Sequence, residues 1–224
     1  MDTINNLRVL DIKSDTETRA IVIWLHGLGA NSNDFEPILP ILNKVIPGIR
    51  YIFPNAPLMS VSVNGGMTMP AWYDIAHPDL SLHQDIQGIN ASSDKLAGIV
   101  NHIKKEAGDN IPIVLAGFSQ GGAIALTTAL TRSVNVQGVL ALSTYLPNID
   151  SNDIMSTPDL KLLMLHGTSD PIVPIAFASK SFSTLSTLVS NTEWQEFPMD
   201  HSLCYEEIEV IGEWLKKITL NTQL

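Results

Sequence analysis

Between Ile113 and Leu130 the chain passes from a short apolar run, Ile113-Val114-Leu115-Ala116, through Gly117-Phe118-Ser119-Gln120-Gly121-Gly122, into a stretch rich in helix formers. β-Branched residues suit a strand, and the alanines and leucines that follow suit a helix, so the glycines fall on a strand-to-helix turn. A serine on such a turn projects from the carboxyl edge of a sheet, and the flanking glycines let the backbone bend tightly and the helix pack close to the strand. The bare G-x-S-x-G pattern is common; the strand before it and the helix after it make it specific. No other stretch constrains the fold as strongly, because it requires a buried strand, a helix and an exposed nucleophile within twenty residues.

The rest of the chain supplies the surroundings. Ala20 to Leu25 reads as a buried strand, followed by further strands at Tyr51 to Pro54, Val136 to Leu142, Leu160 to Leu165 and Glu193 to Phe197. Leu7 to Ile12, followed by the polar stretch Lys13 to Arg19, predicts an edge hairpin ahead of Ala20. Between the strands, Asn33 or Asp34 caps a helix carrying Phe35, Ile38, Leu39, Leu42 and Val45. Further helices run from Asp85 to the Gly108-Asp109-Asn110 stop, from about Pro174 to Val189, and from about Cys204 to Leu220. Strands alternating with helices at this density predict an α/β fold with a mainly parallel sheet covered on both faces. With 224 residues and 45% hydrophobic content, no repeat and no linker-like tract, the expectation is one domain over residues 1–224.

Charge narrows the partners. Thirteen Lys and Arg stand against 23 Asp and Glu, a formal net charge of −10, which repels nucleic acid. The one cysteine, Cys204, has no internal partner and reads as a structural thiol, and the amino terminus lacks the regions of a signal peptide, so a cytoplasmic location is expected. No apolar run is long enough to span a bilayer, which leaves at most peripheral membrane contact.

In an open α/β sheet, ligands bind beyond the carboxyl ends of the strands. Ser119 requires a base, and six histidines compete. His102 sits on a helix beside Lys104 and Lys105; His77 and His83 follow no strand; His26 and His166 each end a buried strand and read as loop-fixing residues bonded to backbone. His201, after a short strand and before the last helix, is the best base. Its far ring nitrogen requires a carboxylate, and Asp170 follows a strand in the turn Gly167 to Pro171. Asp150, Asp153 and Asp159 lie in a polar connection, and Asp200 is expected to point away from its neighbour His201. The remaining need is an oxyanion hole, for which the backbone N–H groups of Leu28 and Gln120 are placed, their side chains being incidental.

From Leu58 to Leu82 no period is sustained, and the stretch reads as a long loop. It carries Met59, Met67, Met69 and Trp72, an apolar load that leaves two readings open: a loop folded down as satellite core, or a wall of an apolar substrate groove. These four are the candidate substrate-binding residues.

Leu25-His26-Gly27-Leu28-Gly29, Phe53-Pro54-Asn55-Ala56-Pro57, Ala71-Trp72-Tyr73-Asp74, Gly117 to Gly122, His166-Gly167 with Asp170-Pro171, and His201-Ser202 resemble, in order and spacing, the phospholipase/carboxylesterase family that includes the acyl-protein thioesterases. The resemblance implies an α/β-hydrolase without a large lid domain, with Ser119, Asp170 and His201 as triad, cleaving esters or thioesters of acyl chains on lipids or acylated proteins. Asp200 departs from the glycine that bacterial relatives often carry; it either raises the proton affinity of His201 or faces solvent. No metal or organic cofactor is expected, and a monomer or weak homodimer is. The alternatives are a short-chain carboxylesterase without a protein substrate and a non-catalytic hydrolase fold that binds lipid or protein.

Overall fold

Six consecutive apolar residues, Ala20 to Leu25, can all be buried only if both faces of their strand are covered. The structure, a computed structural model, describes residues 2–220 and meets this demand with one central sheet. Its strands are β1 (Asp2–Ile4), β2 (Leu7–Ile12), β3 (Ala20–Leu25), β4 (Ile49–Pro54), β7 (Ile113–Phe118), β8 (Gly138–Leu142), β9 (Lys161–Gly167) and β10 (Asn191–Phe197), with β5 (Leu58–Val61) and β6 (Met67–Pro70) forming a separate hairpin. The sheet order is β1-β2-β4-β3-β7-β8-β9-β10. From β4 to β10 every neighbour is parallel, while β1 and β2 are antiparallel to their neighbours.

Among the described residues five helices cover the sheet: α1 (Leu39–Val45), α2 (Ile86–Ala107), α3 (Gln120–Thr131), α4 (Ile175–Leu188) and α5 (Tyr205–Leu220). Alternation along β3 divides the core. Ile21, Ile23 and Leu25 pack with residues of α2, α3 and α4, whereas Ala20, Val22 and Trp24 pack with residues of α1 and α5. Among the described residues no helix is long and apolar enough to cross a membrane.

Three expectations change. The antiparallel edge pair is β1 with β2, and β2 then pairs with β4 instead of folding back on β3. A buried cation explains the choice of neighbour: Arg50 of β4 donates from Nε and Nη2 to the two Asp11 carboxylate oxygens of β2, at 2.9 and 2.7 Å, and from Nη1 to Glu106 at 2.9 Å. The stretch from Leu58 also has more structure than a long loop. Asn64-Gly65-Gly66 turns it into the β5–β6 hairpin, with φ of +65° and +79° at the glycines. The helix after Asp34 begins later than its candidate caps, with a single 3-10 turn at Glu36–Ile38 ahead of α1.

Register brings the strand ends into line. Leu25 lies opposite Gly117, Phe118 opposite Leu142, Leu142 opposite Leu165, and Gly167 opposite Phe197. The turns that follow β3, β7, β9 and β10 therefore emerge side by side along one edge.

The first turn of α5 contains Glu207, which is wholly buried; burial pushes its carboxyl up to about 8, the Cys204 backbone N–H offsetting part of that. The group is protonated in the folded chain and ionised in the unfolded one at neutral pH, so its contribution is full below about 4.5 and is lost as pH rises towards 8. Glu207→Gln is expected to lose less stability than the wild type between mildly acidic and mildly alkaline buffer, by roughly 2–4 kcal/mol in denaturant titrations. Equal pH slopes for the two proteins would refute it.

Candidate active site

Ser119 sits at φ +53° and ψ −120°, a conformation that a residue with a β-carbon adopts only when its surroundings hold it there. Those surroundings are identifiable. The Ser119 N–H donates to the Leu142 carbonyl at 2.9 Å, and its own carbonyl accepts from Thr144 Oγ1 at 2.6 Å and from the Gly122 N–H at 3.0 Å. The glycines around it are required by contact. A β-carbon at Gly121 would lie 2.5 Å from the Leu25 carbonyl oxygen and 2.6 Å from that of His26, and one at Gly117 would overlap the Gly121 carbonyl. Start of α3 and end of β3 thus meet backbone to backbone.

Asp170 is buried in the turn after β9. Its Oδ1 accepts the N–H groups of Ile172 and Val173 at 2.8 and 2.9 Å, and its Oδ2 lies 2.7 Å from His201 Nδ1. Facing a carboxylate, which only accepts, Nδ1 carries the proton and Nε2 is left bare. The His201 ring packs on Phe118 with centroids 4.7 Å apart, and Ser119 and His201 line the same cavity. Asp200 is exposed, so of the two candidate carboxylates Asp170 is the one hydrogen-bonded to His201.

The other histidines have separate placements. His26 Nε2 accepts from the Ala56 N–H at 3.0 Å, which fixes the Nδ1–H tautomer bonded to the Gly27 carbonyl at 2.7 Å; burial lowers its pKa and keeps it neutral. His166 Nε2 donates to the Val173 carbonyl at 2.8 Å, and burial lowers its pKa as well. Both hold loops that border the site. His102 is exposed on α2, while His77 and His83 pack edge to face on each other ahead of that helix. Cys204 is half-buried and unpaired, with burial raising its thiol pKa and disfavouring the thiolate.

Among the described residues no hydrogen bond takes up the N–H of Leu28 or of Gln120. Both residues line the cavity beside Ser119, and Gln120 opens α3, where unpaired N–H groups and the helix dipole favour negative charge. The Gln120 side chain is not incidental. Its Oε1 accepts the Trp72 N–H at 2.8 Å and its Nε2 donates to the Tyr73 carbonyl at 2.6 Å, fastening the segment after β6 to the elbow. Nothing local in the sequence signals a bond across 48 residues.

The cavity has a volume of about 580 Å³. Phe35 and Ile38 come from the segment ahead of α1, and Tyr73, Ile75, Leu80 and Tyr145 from the segments after β6 and β8. Met59, Met67, Met69 and Trp72 are not among its lining. Trp72 is only 2% exposed and its indole N–H donates to the His26 carbonyl at 2.8 Å, as satellite core. Met67 is 64% exposed at the hairpin, and Met69 Sδ lies 3.2 Å from Asn64 Nδ2. The wall comes instead from residues just past this hairpin, whose apolar character gave no periodic signal.

Among the described residues no group of three or more His, Cys, Asp or Glu side chains is placed to hold a metal ion.

A sequence model of the phospholipase/carboxylesterase family matches residues 8–219. Acyl-protein thioesterase 1 of Mycosarcoma maydis is 35% identical over 229 residues, covering 94% of this chain and 95% of the relative. That of Cryptococcus neoformans is 36% identical over 233 residues, covering 94% and 97%. The crystal structure of Zea mays acyl-protein thioesterase 2 superposes with a TM-score of 0.84 at 28% identity, covering 95% of this chain and 99% of that one. The Bacillus cereus carboxylesterase structure, at 20% identity, shares the fold with a TM-score of 0.79 over 95% of this chain and 94% of its own.

Proposed function

The chain belongs to the phospholipase/carboxylesterase family of α/β-hydrolases and hydrolyses carboxylic esters or thioesters of acyl chains, and from that premise we propose that it works by two-step acyl transfer on Ser119. His201 Nε2 takes the hydroxyl proton as Ser119 Oγ attacks the acyl carbonyl. The oxyanion that forms is held by the Leu28 and Gln120 N–H groups, and the imidazolium returns its proton to the departing alkoxide or thiolate. Water then attacks the acyl-enzyme by the same route. Asp170 holds the imidazole in the tautomer that leaves Nε2 free and stabilises its cation. The observation that carries this reading is the 2.7 Å bond from His201 Nδ1 to Asp170 Oδ2 in a turn bordering the cavity that Ser119 enters.

The substrates in this reading are long-chain acyl groups on a protein thiol or a lipid. Support comes from the relatives named acyl-protein thioesterase and from an apolar cavity larger than an acetyl or butyryl group needs. A cytoplasmic setting, at most peripheral membrane contact and a monomer or weak homodimer belong to the same reading, which the unpaired Cys204 and the net charge of −10 support.

A p-nitrophenyl ester series and matched thioesters, lengthened from acetyl, test it. Each added methylene is expected to raise kcat/KM by up to about fourfold until the cavity is full, from about 0.8 kcal/mol per buried methylene. A profile that is flat or falls from acetyl onward would replace this reading with that of a short-chain carboxylesterase.

A further inference from the structure

Apolar walls suit an acyl chain, yet two phenols are buried among them. Tyr73 and Tyr145 line the cavity with Ser119, neither is more than 3% exposed, and their hydroxyl oxygens lie 2.8 Å apart. The Tyr145 ring is held from behind by Phe177, stacked at 4.9 Å, and the Tyr73 carbonyl by Gln120. The pair is therefore rigid.

Each phenol carries one O–H donor. Whichever hydroxyl donates within the pair, the proton of the acceptor is left over, and no partner takes it up among the described residues. Burial raises the pKa of both groups, so both stay protonated and able to donate throughout the neutral range. A buried donor without a partner is unfavourable, and phenylalanine at either position would fill nearly the same volume without that penalty. A folded protein leaving group is far larger than a cavity of about 580 Å³ and stays outside it. Residues this deeply buried are reached only by what enters it, the acyl chain.

We propose that the Tyr73–Tyr145 pair is a polar subsite of the acyl pocket, selecting acyl chains that carry a ketone or other acceptor oxygen along the chain over plain hydrocarbon ones. The proposal rests on the acyl-hydrolase reading above and names a substrate class within it. The spare O–H donates to the chain oxygen, and the surrounding apolar wall excludes the water that would otherwise compete for it. The alternative partner is water in the small pocket, about 10 Å³, that both tyrosines line together with Asp74, His77 and Gln84, close to the least volume that holds a water molecule.

The test compares p-nitrophenyl octanoate with oxo-octanoates whose ketone is stepped along the chain, on the wild type and on the double variant Tyr73→Phe, Tyr145→Phe. Single variants are less informative, because the remaining phenol keeps a proton to donate. The readout is the ratio of kcat/KM between two substrates on one enzyme, so a general loss of activity cancels. At one ketone position the wild type is expected to favour the oxo ester by about tenfold, the scale of one buried hydrogen bond, and the double variant to lose that preference. Should the double variant not fold, the wild-type profile still decides: no ketone position outperforming the plain chain overturns the subsite. A preference that survives in the double variant also overturns it. Failure to hydrolyse plain octanoate would instead overturn the acyl-hydrolase reading, and this one with it.

Discussion

Ser119→Ala is expected to lower kcat on any acyl ester by about 10⁴–10⁶-fold, the scale seen when a triad nucleophile is removed. Alanine keeps the β-carbon, so the strain at φ +53° is the same in both proteins and the elbow backbone is held by the same bonds to Leu142, Thr144 and Gly122. The melting temperature should therefore move by no more than a few degrees, which separates lost chemistry from lost fold. A fluorophosphonate probe should add one adduct to the wild type, seen by intact mass, and none to the variant. Retention of most of the esterase activity, or labelling of the variant, would remove Ser119 from the mechanism.

Asp170→Asn is expected to cost about 10⁴-fold in kcat while leaving KM within a few fold. The reason lies in what surrounds the carboxylate. Oδ1 accepts two backbone N–H groups and Oδ2 faces His201 Nδ1, so three donors converge on one acceptor-only group whose side chain is fully buried. An amide has one oxygen. If that oxygen keeps Ile172 and Val173, the NH2 faces Nδ1, moves the imidazole proton to Nε2 and leaves no base for Ser119. If the amide turns over, its NH2 meets two N–H donors and the 170–173 turn loosens. The probe-labelling rate should fall in parallel with kcat, because both depend on an activated Ser119. Unchanged labelling with lowered turnover would place Asp170 outside activation of the nucleophile.

Legibility differed from residue to residue. The turn at Ser119 was readable because its constraints are local: two glycines, an apolar run and a helix former within ten residues. The positions of Asp170 and His201 followed from each coming just after a strand-like run. Their separation in space did not, since the 2.7 Å bond between them joins residues 31 apart through the parallel pairing of β9 and β10. The candidate wall of Met59, Met67, Met69 and Trp72 shows the opposite case. Composition marked the right neighbourhood, but which side chains face the cavity depends on a hairpin turning at Gly65 and Gly66 and on Gln120 fastening Trp72 and Tyr73 from 48 and 47 residues away.

The sequence by itself determined the α/β class, the alternation of helices with the central parallel strands from Ala20 onward and the strand-to-helix turn that presents Ser119, because periodicity, propensity and glycine requirements act between residues close in the chain. Only the tertiary structure decided that β2 lies beside β4, that the Gln120 side chain closes one wall, and that Tyr73 and Tyr145 meet inside the cavity. Those contacts join segments 39 to 72 residues apart, and their stability comes from burial and hydrogen bonding that exist only once the sheet has assembled.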